Sequence, residues 1–284
     1  MNRKRSAGLL SVPISVWTFA LVGIVLLYII ALSFMTAVPG EYRVEYTFTL
    51  ENYKRLFSGD YFRVLLNSLK LAVETTLLCI GVGYPFGYCM ARVGRKWRGI
   101  LMLLVIVPFW TNALVRIYGW KILMMGNGPI NDILKAIGLI EKPLKLLNTY
   151  GAVLLGMVYA LIPFMILPVY SSVEKMDWSL VAASRDMGAS PARAFMTVTL
   201  PLTLPGLMAG VVLVFVPAIG LFFISDLLGG STMVYAGNLV RDQLLKAKDL
   251  PFAAAISVVL LVLTLIILWI YRRAGGKSGD MAIF

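Results

Sequence analysis

Residues able to do acid–base, nucleophilic or metal chemistry are scarce in this sequence, and that scarcity limits what it can do. Histidine is absent from the 284 residues, which removes histidine zinc sites, Ser-His-Asp triads and histidine proton relays. The two cysteines, Cys79 and Cys89, share one apolar run. Ten residues of helix rise roughly 15 Å, too far for a disulfide, so both read as core residues. Two carboxylates, Glu74 and Asp226, fall in or at the end of apolar stretches, and an acid so placed is a functional hypothesis by default. Lys70 stands four residues before Glu74, so an ion pair confined to one helix is at least an equal reading there. Gly276-Lys277-Ser278 ends like a phosphate-binding loop, but Tyr271 stands where the first glycine belongs and no strand precedes it. Gly81-Val82-Gly83 lacks the third glycine of a dinucleotide loop, with Phe86 in its place.

The elements that must position these residues are membrane helices. Hydrophobic residues make up 60% of the chain and charged ones 14%, and the mean hydropathy is +0.85. Soluble domains run nearer 45–50% and about 25%. The net charge of +12 could suggest nucleic-acid binding, but basic loops that orient a membrane protein explain it better. A span needs about 20 mostly apolar residues. Six stretches qualify: Val12–Met35, Leu65–Met90, Ile100–Val115, Gly151–Tyr170, Leu204–Ile224 and Phe252–Tyr271. The third is short, and Pro108 is expected to bend it. The first is too long and apolar for a cleaved signal peptide and is read as retained.

Basic residues divide evenly between the two sides, so density decides orientation. Arg92, Arg95, Lys96 and Arg98 crowd one loop, and Arg3, Lys4 and Arg5 precede the first span, while the opposite loops carry more acids. Both termini are therefore expected inside. Residues 1–63 would form an N-terminal span and first outer segment, 64–272 the core, and 273–284 an inner tail. The only long inner loop is about 171–203.

That loop has regular signals. Asp177 can cap a helix running to Met187, and Gly188 suits the left-handed residue that ends it. Ser190 can cap a second helix, with Pro191 at its first position. Pro201 and Pro205 are expected to break the chain again before the fifth span. The result would be a helix-turn-helix at the inner surface, suited equally to docking a partner or to packing on its own bundle. Gly83–Gly87 and Gly206–Gly210 are G-x-x-x-G spacings that permit close helix approach.

The loop resembles the EAA motif of ABC importer permeases. Ala182, Ala183 and Ser184 occupy its opening, followed by Arg185, Asp186 and then Gly188, and after nine intervening residues come Val198, Leu200 and Pro201. Ala182 stands where that family often has glutamate. The stretches Phe48–Tyr53, Asn67–Leu69, Val107–Trp120, Pro168–Asp177 and Ser225–Gly230 are similar to the permease subunits of spermidine/putrescine importers. The resemblance implies an all-α integral membrane protein with the type I ABC importer permease fold, six transmembrane helices and a cytoplasmic coupling element. It implies a bacterial inner-membrane location, both termini cytoplasmic, and no catalytic residue or cofactor of its own. ATP and magnesium would be bound by a partner ATPase dimer. The other implied partners are a homologous second permease and a periplasmic polyamine-binding protein, within membrane lipid and with no nucleic acid.

A polyamine passage should offer carboxylates, carbonyls and aromatic faces. Asp226 and, after it, Glu74 are the candidate acids; Trp110, Tyr118, Tyr159 and Phe222 are candidate walls; Thr111 and Asn112 add polar atoms. For Trp110 a place in the interfacial belt is an equal reading, and for Tyr159 and Phe222 ordinary packing is the stronger one. Another organic cation, an opine-like compound or an oxyanion is an alternative cargo. A stand-alone channel or a membrane enzyme fits the sequence less well.

Overall fold

The computed structural model describes residues 3–38, 40–230 and 233–275, which are mostly helical. Helix α1 (Arg3–Ser33) is followed by the short antiparallel pair β1 (Thr36–Ala37) and β2 (Val44–Glu45). Then come α2 (Glu51–Leu56), α3 (Gly59–Arg92) and α4 (Arg95–Ile106), which ends in a 3-10 turn at Val107–Trp110. Next are α5 (Ala113–Leu123), α6 (Pro129–Ala136), α7 (Tyr150–Glu174) and α8 (Trp178–Asp186). Helix α9 (Pro191–Ala194) passes through a π turn (Phe195–Thr199) into α10 (Leu200–Gly220). After α11 (Phe222–Ile224), a π turn (Ser225–Gly229) and α12 (Ala236–Asp242), a further π turn (Gln243–Ala247) leads to α13 (Leu250–Gly275).

Five helices of the described residues are long and apolar enough to cross a membrane, and a bent pair makes a sixth. The pair corrects the third expected span. Arg95–Trp110 and Ala113–Leu123 meet at 96° rather than forming one bent helix. Pro108 is the second residue of the tightened turn, but the break lies at Thr111, whose backbone is extended, and at Asn112, the cap of α5. The Thr111 hydroxyl donates to the Pro108 carbonyl at 2.7 Å, and the Asn112 side chain accepts from the Leu114 amide at 2.8 Å, capping α5. The two polar side chains thus stop one helix and start the next.

A second correction concerns Pro201 and Pro205, which do not break the chain. One helix runs from Pro191 to Gly220. A proline ring inside a helix collides with the carbonyl four residues earlier; the π turn immediately before α10 widens the helix there, and Pro201 falls in the first turn after it. A third concerns Cys89, which is exposed while Cys79 is buried. Ten residues at 3.6 per turn leave the two roughly 80° apart around α3.

The chain divides into two compact units, one of residues up to Val64 with Leu239–Leu263, the other Leu65–Asn238 with Thr264 onward. This differs from a division at 63/64 and 272/273 by assigning the first half of the last span to the N-terminal unit. In that unit Asn52 donates to the Ser33 and Met35 carbonyls at 3.0 and 2.8 Å, closing the end of α1. Arg55 pairs with Asp249 at 2.8 Å and lies 4.1 Å over the Phe252 ring, tying α2 to the start of α13.

In the second unit α7 is the central element, and both G-x-x-x-G pairs pack on it. A Cβ at Gly83 would meet Met165, and one at Gly87 the Ile166 carbonyl oxygen at 3.0 Å. From the other side, a Cβ at Gly206 would lie 2.6 Å from the Pro168 carbonyl oxygen, and one at Gly210 2.7 Å from Met165 Sδ. Glycine there lets α3 and α10 reach the α7 backbone. Nearby, Leu71, Ile117, Val153, Met157, Ile224 and Leu228 form a buried core.

Candidate functional site

Two regions of the second unit carry the expected site residues. The first is the segment between α7 and α10. Asp177 caps α8, accepting from the Ser179 amide at 2.9 Å. Hydrogen bonding to Ser179 holds the Asp177 carboxyl below its ordinary range, so the cap stays charged. Helix α8 ends at Gly188, whose φ is +85°. The Gly188 amide donates to the Arg185 carbonyl at 2.9 Å and the Ala189 amide to the Ser184 carbonyl at 3.1 Å, the paired bonds of a Schellman stop. Ser190 then accepts from the Arg193 amide at 3.3 Å with Pro191 at the start of α9.

Ala182, Ala183, Arg185, Asp186 and Gly188 are exposed and Ser184 is half-buried. Val198, in the π turn, and Leu200 are half-buried, and Pro201 is exposed at the start of α10. The turn presents Met187 90% exposed and Leu180 47% exposed, a large apolar offering for so short a segment. Beneath α8 lies a cavity of about 610 Å³ lined by Tyr88, Arg92, Trp178, Arg185, Asp186 and Phe195, among others. The Arg92 guanidinium lies 5.2 Å over Trp178 and 5.6 Å over Tyr88. Arg98 pairs with Glu174 at 2.5 Å and donates to the Ala91 carbonyl at 3.0 Å, fixing the end of α7 that feeds α8. None of these ring and ion contacts follows from the spacing of the loop motif.

The second region gathers around the broken helix pair. Trp110 is 79% exposed and Tyr118 50% exposed. Arg116 lies 4.9 Å over the Phe109 ring and 5.9 Å over Tyr159. Tyr159 meets Trp120 edge-on at 5.5 Å, and Phe109 meets Phe164 edge-on at 5.4 Å. Run length alone passes over Arg116, because the apolar run ends at Val115; an arginine just beyond a proline-interrupted span is the signal that marks it.

The two candidate acids have separate partners. Glu74 accepts from the Tyr150 hydroxyl of α7 at 2.5 Å, and Lys70 lies 3.9 Å away on the same helix, so the carboxylate is bonded across to a second helix as well as paired along its own. Asp226 sits in the π turn after α11 and accepts from the Asn238 amide at 2.5 Å. Asn238 is 2% exposed; its oxygen takes bonds from the Ser225 hydroxyl at 2.7 Å and the Tyr235 amide at 3.1 Å. Nothing in the sequence pointed to Asn238. Phe222 meets Phe223 edge-on at 6.5 Å. The Gly276-Lys277-Ser278 stretch and residues 276–284 of the expected tail lie outside the described residues.

Comparison with known proteins fits this architecture. Residues 83–275 match the family model described as binding-protein-dependent transport system inner membrane component. The chain is 44% identical over 273 residues to the spermidine/putrescine transport system permease protein PotB of Salmonella typhimurium (strain SL1344), covering 96% of this chain and 95% of that one. It is 45% identical over 258 residues to the same-named protein of Escherichia coli (strain K12), covering 91% and 94%. A chain in the crystal structure of a bacterial alginate ABC transporter in complex with alginate pentasaccharide-bound periplasmic protein superimposes with TM-score 0.74 at 17% identity, covering 98% of each chain; that likeness shows a shared fold. The relatives are transport permeases rather than enzymes, and the helices are those of a multi-pass membrane protein. The chain belongs to the family of inner-membrane components of binding-protein-dependent transport systems.

Proposed function

We propose that this chain is the permease subunit of an ABC importer for polyamines of the spermidine/putrescine class. The observation that carries the reading is identity of 44–45% to spermidine/putrescine permeases over more than nine-tenths of the chain. In this reading a homologous second permease completes the passage, an ATPase dimer supplies the ATP and magnesium sites, and a periplasmic polyamine-binding protein delivers cargo. The chain itself contributes no cofactor site. Both termini and the α8 segment lie in the cytoplasm, a direction supported by the basic cluster Arg92–Arg98.

The α8 segment is the element that docks on the ATPase. Its rigid stop at Gly188 and cap at Asp177 suit a lever, and exposed Met187 and Leu180 supply the apolar contact. Ala182 in place of a motif glutamate leaves shape and burial, rather than an ion pair, to hold that contact.

The test is ATP hydrolysis by the full complex in response to spermidine-loaded binding protein. Gly188 has φ +85° with no neighbour near its missing side chain, so backbone conformation alone decides what fits. Gly188→Asn, which tolerates that conformation, should respond within about twofold of wild type. Gly188→Val should assemble but lose at least about tenfold of the response, because a β-branched residue re-aims the turn. Equal responses in the two variants would remove the lever from the reading.

A further inference from the structure

We infer that the rings of Phe109 and Tyr159 form a binding site for an ammonium group of the cargo, and that Arg116 is its resident stand-in when cargo is absent. The inference rests on the polyamine reading and adds a site to it. Arg116 is the first observation. It lies within the bent helix pair, where a charged side chain faces a bundle interior or water-filled cavity rather than lipid. Its guanidinium is held by ring faces, 4.9 Å from Phe109 and 5.9 Å from Tyr159, and no carboxylate pairs with it among the described residues. Its Nε is buried without a hydrogen-bond partner. A cation kept by π faces alone is weakly held, as an exchangeable group should be.

The setting is the second observation. Interrupted helices at membrane depth are tolerated where the freed backbone is covered by protein or lines a polar cavity. Here the interruption at Thr111–Asn112 falls between Phe109 and Arg116 in sequence, with Trp110 exposed beside it. Trp120 and Phe164 brace the two rings edge-on, so the box keeps its shape if the guanidinium leaves. An alkylammonium fits where the guanidinium lay: a compact charge against the rings, with methylenes along the apolar wall. Binding without a carboxylate lets the passage release what it receives.

The experiment varies the charge of the ring faces while keeping their shape. Labelled spermidine uptake is measured in proteoliposomes holding the complete complex, this chain carrying Tyr159→Phe and then mono-, di- and trifluorophenylalanine at that position. The series is repeated with Arg116→Met. Uptake should fall about tenfold from phenylalanine to the trifluoro ring, and the same slope should persist with Arg116→Met. A slope that vanishes with Arg116→Met means the rings serve only Arg116, and overturns the site. So does Arg116→Met that assembles but abolishes uptake, since a stand-in is dispensable. Wild-type complex that ignores spermidine while importing another solute overturns the cargo reading and this site with it, an outcome separate from a lost slope.

Discussion

Gly206→Ala tests the packing of α10 on α7 most sharply. The added Cβ would collide with Ser172 Cβ and lie 2.6 Å from the Pro168 carbonyl oxygen. Unstrained heavy-atom contacts need about 3.5–4.0 Å, so the two helices must part by about 1 Å. Neither neighbour can turn away, because one is backbone and the other is fixed to it. Overpacking of that kind costs about 3 kcal/mol at the upper end of its range, and alanine recovers about 1 kcal/mol of helix propensity. The net loss is about 2 kcal/mol, or a Tm lower by about 4–8 °C in a chain of this size. Gly81→Ala on α3 is the matched control, since nothing lies within 4 Å of its would-be Cβ; it should gain about 1 kcal/mol. Thermal unfolding of the detergent-purified chain by tryptophan fluorescence reads both. Shifts of the same sign, or a Gly206→Ala protein as stable as wild type, would refute the packing argument.

Other perturbations follow from single contacts. Asn131 is fully buried and bonds the Met125 and Leu144 carbonyls and the Leu144 amide at 2.8–3.1 Å; Asn131→Ala should cost about 2–3 kcal/mol and expose residues 137–148 to hydrogen exchange. Lys70 is 67% exposed in its 3.9 Å pair with Glu74, so Lys70→Met should cost no more than about 1 kcal/mol by thermal unfolding. Burial raises the Asp242 pKa, but bonds from Arg241 and Lys246 outweigh it and hold the carboxyl below its ordinary range. Its stabilisation is therefore full above the ordinary carboxylate value and is lost as pH falls through the lower folded value. Wild type should melt above Asp242→Asn at pH 7, and the two curves should converge below about pH 4.

What the sequence showed depended on the range of the interaction. Composition and run length exposed five spans, and the short-range signals at Asp177, Gly188, Ser190 and Pro191 located both ends of α8 and the start of α9, because caps and left-handed stops are decided by neighbours a few residues away. The third span failed as one helix because Thr111 and Asn112 look unremarkable beside Pro108, although their side chains make the break. Pro201 misled because a π turn, which has no residue signature, absorbs it. Arg55 with Asp249, Glu74 with Tyr150, and Asp226 with Asn238 join residues far apart in the chain, where no periodicity reports on contact. The G-x-x-x-G spacings were visible, but their common partner, α7, was not.

Polyamine import is tested most directly by ATP-dependent uptake of labelled spermidine into proteoliposomes containing this chain, its second permease, ATPase and binding protein. The expected result is accumulation that requires both ATP and the binding protein and is competed by unlabelled putrescine or spermidine. Accumulation of a non-amine solute under the same requirements, with spermidine ignored, would contradict the cargo while leaving the chain a permease.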